Sequence, residues 1–350
     1  LVCQTGCKVP GFCRSVSALQ WEQLPSISDK QGFAGAFAGV SGGALILAGG
    51  ANITGNKWGS DFHKKWYDSA FVLERPDATW QSGFKLPHPL GYGVSITTGN
   101  GVICIGGSDA DRHYADVFLL SWTNGTLSTM KLPSLPRPCA NACGALLNGR
   151  IYVAGGLEAP SDTHCLKTFW SFDLTSPASH WEQLKPWPGP PRMLAVAGVH
   201  EGAFYLISGV ELRADASGKP VRKYLRDAYA FTPGHGWRKL APLPYAVAAA
   251  PSPAGDGNCL LIFSGDDGSK ITEPPSPRHP GFPRRTLAYN QAADAWIARP
   301  GLPFSRATTP TVEWRGHLVV PMGEVRPRER TTEVWWAKLP ARPSDRAKLK

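Results

Sequence analysis

Residues 138–156 read P-C-A-N-A-C-G-A-L-L-N-G-R-I-Y-V-A-G-G. Small residues fill the first half, an apolar run fills the second, and two glycines end it. Between them stands Asn148-Gly149, a two-residue hairpin signal, because both central positions of that turn need positive φ. The stretch therefore predicts a small-residue strand folded back against an apolar one. Five similar stretches surround it: "GFAGAFAGVSGGALILAGG" (32–50), "GYGVSITTGNGVICIGG" (91–107), "MLAVAGVHEGAFYLISG" (193–209), "VAAAPSPAGDGNCLLIFSG" (247–265) and "ATTPTVEWRGHLVVPMG" (307–323). Asn100-Gly101, Glu201-Gly202 and Arg315-Gly316 are weaker versions of the same turn. Successive copies end 49 to 58 residues apart, the scatter expected of a repeat with loops of variable length.

Each glycine signal but the last is followed by a Trp-containing stretch, marked by Trp80, Trp122, Trp181, Trp237 and Trp296. "WEQL" occurs at 181–184 and again at 21–24, ahead of the first repeat. The sixth repeat runs through "TTEVWWAKL" (331–339) into a polar tail and lacks such a stretch of its own. Adding the N-terminal strand to the last repeat closes a ring, and closure removes sheet edges that would otherwise pair with other chains. Four strands repeated six times, with the smallest residues innermost, predict an all-β, six-bladed β-propeller. One domain spans 18–340, with a Cys-containing extension at 1–17 and a polar tail at 341–350. Only "SDFHKKWYD" (60–68) reads as a turn or two of helix.

Gly 38 and Pro 32 make up one residue in five, yet 13 Trp and 42% hydrophobic residues can build a large core. No run of 18 apolar residues exists, which excludes a helical membrane span. The net charge of +10 favours anionic partners. Its densest cluster, "RHPGFPRR" (278–285), lacks interleaved stacking aromatics beyond Phe282, so it reads as a solvated loop rather than a nucleic-acid surface. Eight cysteines include three crowded at Cys3, Cys7 and Cys13, with no paired CxxC spacing for zinc. The chain begins at Leu1 without a charged-then-apolar leader. That fits an exported, periplasmic or extracellular protein whose signal has been removed, or a trimmed chain.

The last repeat carries an unusual continuation, "MGEVRPRERTTEV" (322–334). Where other repeats end in Gly-Gly, this one has Gly323-Glu324, so a carboxylate is expected in place of the second glycine. The Gly and Trp spacing resembles the kelch class of propeller. "GFAGAFAG" (32–39), "GYGVS" (91–95), "PPRMLAVAGVHEGAFYLISG" (190–209) and above all "GEVRPRERTTEV" (323–334) resemble the sialic acid mutarotases, also called N-acetylneuraminate epimerases. The resemblance covers all six repeats, in an order that looks cyclically permuted. It implies an active-site pair of Glu324 and Arg330, with Pro327 matching and Arg326 in place of a Lys. Leu90 departs from the pattern, standing where the family carries an Arg.

These residue types suit the implied chemistry. Burial raises a Glu pKa and a nearby cation lowers it, so a carboxylate closing an apolar strand beside Arg330 feels both effects. A poised carboxylate exchanges protons with sugar hydroxyls. An arginine fork pairs with a carboxylate or stabilises oxyanion charge. Anomer interconversion opens and recloses the ring, and it needs no redox cofactor or metal. The partner is then a small acidic sugar rather than nucleic acid. On charge pattern alone, residues 324–330 also read as a solvated, salt-bridged loop. Within it, Arg326 and Arg328 are expected to face water.

Arg137, Arg192 and Arg306 each precede an inner strand, and His88 occupies a similar point. They are candidate substrate-binding residues around the channel mouth; pairing between blades is the other reading. Asp266 and Asp267 are expected near the same loops. Cys139 and Cys143 read as packing residues or a disulfide. Two other functions stay open: a noncatalytic kelch module binding protein or glycan, and a kelch-type copper-radical oxidase, which needs clustered Tyr, Cys and His.

Overall fold

The structure is a computed structural model describing residues 19–255 and 259–339. The extension at 1–17 and the tail at 341–350, with Cys3, Cys7 and Cys13, lie outside the described residues. Six four-stranded antiparallel sheets follow one another. Blade 1 comprises Phe37–Ser41, Ala44–Ala48, Ser69–Leu73 and Gln81–Lys85; blade 2 comprises Val94–Thr98, Gly101–Ile105, Val117–Thr123 and Thr126–Leu132. Blade 3 comprises Cys143–Leu147, Arg150–Ala154, Phe169–Asp173 and Glu182–Gln183, and blade 4 Val196–His200, Ala203–Ile207, Ala228–Thr232 and Gly236–Lys239. Blade 5 comprises Ala254–Gly255, Leu260–Phe263, Thr286–Asn290 and Ala295–Arg299. Blade 6 takes Val312–Trp314, His317–Pro321 and Val334–Lys338 from the end of the chain and Trp21–Leu24 from its beginning. Trp21 pairs with Ala337 and Leu24 with Val334, so the ring closes as the unpaired "WEQL" implied.

The innermost layer is held by a ring of backbone hydrogen bonds. Tyr92 N–H donates to Gly35 O, Asn141 to Tyr92, Leu194 to Asn141, Ala249 to Leu194, Thr308 to Ala249 and Gly35 to Thr308, all at 2.7–2.8 Å. All six residues have positive φ, five of them without being glycine. Positive φ costs a non-glycine residue energy, and here the circular pattern of satisfied amides offsets it. The ring surrounds a central cavity of about 110 Å³. Further out, the tryptophans tie blades together. Trp80, Trp181, Trp237 and Trp296 donate Nε1–H to the carbonyls of Pro25, Pro133, Lys185 and Ala241 at 2.7–2.9 Å. Each acceptor directly follows the Leu that closes the preceding blade's outer strand. Trp122 differs from the sequence reading. It lies on the third strand of blade 2, where the outer strand opposes it with Leu127.

Two expectations are corrected. Residues His63–Trp66 form a strand, not a helical turn, pairing with Ala51–Thr54 in a hairpin above blade 1. Among the described residues there is no helix. The second correction concerns the glycine signal. Equivalent bridges join Ala34 to Ala51, Gly91 to Ser108, Ala140 to Leu157, Met193 to Val210, Ala248 to Asp266 and Ala307 to Glu324. Glu324 therefore follows the second glycine rather than replacing it. Gly323 (φ 90°) is that glycine, and Met322 (φ 44°) occupies the first position, as Ser208 and Ser264 do in blades 4 and 5.

The second glycine is the stricter one by conformation, with φ of 87–115° in the six blades against 44–69° at the first position. A Cβ on Gly156 (φ 102°) would lie 2.6 Å from Cys139 Sγ and 2.7 Å from Ala140 O. Gly43 (φ 76°) has nothing within 4 Å of its Cβ position. Gly156→Ala is expected to cost about 3–5 kcal/mol, combining backbone strain with overpacking. Gly43→Ala should cost about 1–2 kcal/mol from φ alone. Denaturant titration of both variants checks this, and equal losses would contradict it.

Candidate active site

The face carrying the glycine signals also carries three two-stranded hairpins, above blades 1, 4 and 6. In blade 6 the hairpin pairs Glu324–Arg326 with Glu329–Arg330, and Glu324 faces Arg330 directly. Pseudo-symmetry gives the seat of Arg330 a meaning. The N–H groups of Tyr67, Tyr114, Leu166, Leu225 and Thr331 all bond the carbonyl of their blade's second glycine. The preceding residues are Trp66, His113, Cys165, Tyr224 and Arg330. Several of these reach the next blade: His113 Nδ1 meets Leu157 O at 3.0 Å, Cys165 Sγ meets Val210 O at 3.4 Å, and the Tyr224 hydroxyl donates to Asp266 Oδ2 at 2.6 Å. In blade 6 that seat holds an arginine, and its partner across the hairpin is a glutamate.

Arg330 Nη1 lies 3.0 Å from Glu324 Oε1, with side chains 5% and 16% exposed. This is ion-pair contact without hydrogen-bond alignment, and Arg330 Nε and Nη1 are buried with no hydrogen-bond partner. Glu324 Oε1 also accepts the Arg328 N–H at 2.8 Å. Oε2 accepts no hydrogen bond from the described residues. The pair forms a wall between two cavities. Glu324 lines one of about 860 Å³ between blades 5 and 6. Arg330 lines another of about 530 Å³ toward the hairpin of blade 1.

The charges between the pair do not face water as expected. Arg326 Nε lies 3.1 Å from Glu329 Oε2, and its Nη1 donates to Pro277 O of blade 5. Arg328 donates from Nη1 to Lys57 O and Gly59 O at 3.2 Å each, and its guanidinium stands 3.5 Å over the Phe62 ring. Lys57 Nζ meets Glu329 Oε1 at 3.2 Å. The charged hairpin thus clamps blade 6 to both neighbours, which fixes Glu324 rather than leaving it on a solvated loop.

The larger cavity is walled by the long connection of blade 5. Asp266, Asp267, Lys270, Arg284 and Arg285 line it, with Arg222 from the blade 4 hairpin. The stretch 278–285 is solvated only in part: its three arginines are exposed, while His279 and Phe282 are buried and the Phe282 N–H donates to Ser305 Oγ at 2.7 Å. Sequence reasoning placed Asp266 and Asp267 near these loops but not the arginines, which lie outside any repeat signal. Arg284 and Arg285 are exposed; Arg285 Nη1 lies 3.8 Å from Asp267 Oδ2 and its guanidinium 4.8 Å over the Tyr245 ring.

The structure does not bring together the other candidates. Arg192 is fully buried; Nη1 and Nη2 grip Asp227 at 2.9 and 2.8 Å, and Nη1 also bonds Ser208 O. Burial would raise the Asp227 carboxyl, but hydrogen bonds and charge from Arg192, with the Tyr229 hydroxyl, hold it below its ordinary value. Arg306 is likewise buried, with Nη2 2.7 Å from Glu333 Oε2. Arg137 is half exposed, 3.1 Å from Glu158. His88 lies 3.3 Å from Asp116 and tilts over Tyr114. None of the four lines the 860 Å³ cavity. Each pairs with a carboxylate of its own blade, so neither the expected pairing between blades nor the expected arginine funnel at the channel mouth is formed. Leu90 occupies the same seat in blade 2 as Arg192 in blade 4: each precedes its bridge residue, Gly91 or Met193. Leu90 is fully buried. Its departure from the family pattern therefore touches ring packing and not a ligand surface.

Cys104, Cys139, Cys143 and Cys165 are free and buried. Burial pushes the Cys143 thiol up to about 12, unsuited to a nucleophile. Among the described residues no three His, Cys, Asp or Glu gather into a metal-binding group, and no helix is long and apolar enough to cross a membrane.

Fold and site together define a closed six-bladed kelch-type propeller whose sixth blade carries a paired Glu324 and Arg330 beside a cavity lined by charged residues. Residues 13–129 match the family described as N-acetylneuraminate epimerase, and residues 138–186 match the Kelch motif. The chain is similar to the N-acetylneuraminate epimerase of Brucella suis, 34% identical over 127 residues, covering 32% of each chain. It is similar to that of Yersinia enterocolitica at 36% over 126 residues, covering 31% of each. The match thus spans about a third of the length of these curated relatives. The solved structure of YjhT superposes with a TM-score of 0.65 over 90% of this chain and 97% of that one, at 16% identity, a likeness of fold. Glu324 and Arg330 lie outside both matched stretches.

Proposed function

We propose that this protein is a sugar mutarotase that interconverts the α and β anomers of N-acetylneuraminate or a related carboxylated sugar. The observation that carries the reading is Glu324. It is a carboxylate clamped by Arg330 and the Arg328 N–H through one oxygen, with no hydrogen bond to the other from the described residues, on the wall of a cavity lined by both cations and carboxylates. Glu324 takes the anomeric hydroxyl proton; the bond from the anomeric carbon to the ring oxygen breaks; the ring oxygen receives the proton. Rotation of the resulting ketone and the reverse steps give the other anomer. The reaction is redox-neutral and uses only proton transfer. Arg330 acts on Glu324, orienting it through their 3.0 Å contact. The cations of blade 5 suit the sugar's own carboxylate. The order of the blades, with the charged motif last, fits a cyclic permutation of the family's order.

Proton NMR of the α anomer, freshly released by a sialidase, tests this. With the protein added, equilibration is expected to accelerate in proportion to its concentration. Sugar binding without any acceleration would instead support a noncatalytic glycan-binding propeller. The same reading proposes an exported protein, supported by the disulfide at Cys259, since disulfides persist in oxidising compartments. Alkylation of unfolded protein without reductant should leave Cys259 unlabelled; labelling of all eight cysteines would reject this.

A further inference from the structure

We propose that His279 is a fixed, neutral hydrogen-bond donor to the sugar, stabilising the ring oxygen as it leaves the anomeric carbon. The inference rests on the mutarotase reading and adds a residue to it.

The long connection of blade 5 is locked against the Glu324 hairpin. Ser305 Oγ accepts the Phe282 N–H at 2.7 Å and donates to Val325 O at 2.8 Å. A Cβ on Gly281 (φ 90°) would lie 2.6 Å from Val325 O, so the two segments touch backbone to backbone. His279 therefore stands beside the strand that carries Glu324, and both residues line the 860 Å³ cavity. The imidazole is 5% exposed. Its Nδ1 accepts the Gly281 N–H at 3.1 Å. An acceptor nitrogen carries no proton, so in the neutral ring the proton is on Nε2. Nε2 is buried with no hydrogen-bond partner among the described residues. Buried polar atoms are rarely left unpaired in a protein, and this one sits in a wall shared with the proposed base.

The same tautomer excludes a role as general acid. Losing the Nε2 proton would create an imidazolate, because the Gly281 amide cannot hand Nδ1 a proton in return. The chemistry open to this ring is donation without transfer. As Glu324 removes the anomeric proton, the electron pair of the breaking C–O bond moves onto the ring oxygen. The His279 N–H bonds that oxygen while charge develops, and the proton that neutralises it comes back from the Glu324 carboxylic acid. His279 keeps its own proton throughout. A preorganised donor of this kind is worth about 10²–10³ in rate.

Three measurements test this. Nitrogen-15 NMR of histidine-labelled protein should show His279 as the neutral Nε2–H form, and its Nε2–H signal should move on adding N-acetylneuraminate. His279→Ala should lower kcat for anomer exchange about 100-fold with a much smaller change in KM. His279→Gln, whose amide N–H can stand near the Nε2 position, should recover most of the loss. An unmoved His279 signal, or wild-type kcat in folded His279→Ala, overturns the inference while wild-type acceleration leaves the mutarotase reading standing. A wild-type protein that does not accelerate the exchange overturns both.

Discussion

Glu324→Gln is expected to slow anomer equilibration by at least about 100-fold, the lower range for loss of a positioned acid–base group. The substitution keeps the side chain's length, and a Gln Oε1 can still accept the Arg328 N–H that Glu324 Oε1 holds at 2.8 Å. What it removes is proton affinity, and with it the charge opposite Arg330, 3.0 Å away. The buried guanidinium then lacks a counter-ion, so some stability is lost as well. A melting curve and a binding titration with N-acetylneuraminate keep the two effects apart. The expected pattern is a folded protein that binds the sugar with little change and equilibrates it at close to the uncatalysed rate. A variant that exchanges anomers at the wild-type rate would remove Glu324 from the chemistry. Arg330→Lys should fall between the two. It keeps one charge, but an ammonium cannot match the planar fork that reaches both Glu324 and the neighbouring cavity.

The ring itself was legible because its signals are local. A two-residue turn, a glycine with φ near 100° and a Trp two strands later are fixed by backbone geometry inside one repeat. The closing strand was legible by arithmetic, since one "WEQL" had no repeat and one repeat had no such strand. The site was only half legible. Glu324 and Arg330 are six residues apart and meet across a hairpin, so sequence could pair them. Their register against the other blades could not be read from glycine count alone, because Met322 takes a left-handed conformation that other blades give to glycine or serine. The cavity wall was invisible for a different reason. His279 and Arg284 belong to the long connection of blade 5, Arg222 to the hairpin of blade 4 and Glu324 to that of blade 6, and no periodicity records that they meet. The arginines ahead of the inner strands misled in the opposite direction. Symmetry put them at one mouth of the channel, but burial turned Arg192 and Arg306 inward onto carboxylates of their own blades.

Arg192→Ala is accordingly expected to destabilise the fold by about 3–5 kcal/mol, the usual cost of stranding one partner of a buried ion pair. It should leave kcat/KM of the folded fraction unchanged within about twofold, an allowance set by the usual independence of distant sites. Asp227 would lose three contacts' worth of order at once: two guanidinium hydrogen bonds and the charge that holds its carboxyl down. The pH dependence has a definite sign. Because the folded Asp227 carboxyl titrates below the unfolded one, at about 3.9, the pair's contribution is complete above that value. It is lost as pH falls through the lower, folded value. The stability gap between wild type and Arg192→Ala should therefore be widest near neutrality and narrow below about pH 4. Blade 2 supplies the internal control. There the same seat holds Leu90, fully buried, and the carboxylate nearby, Asp116, is 46% exposed and faces His88. An apolar residue is thus tolerated at this seat when the acid beside it can reach water. Arg192→Leu combined with Asp227→Asn should recover a large part of what Arg192→Leu alone loses, since the stranded charge, rather than the missing guanidinium, carries most of the cost. Equal losses in the single and double variants would mean that Arg192 acts through packing against Trp187 and Tyr229, 5.5 and 5.4 Å from its guanidinium, and not through its charge.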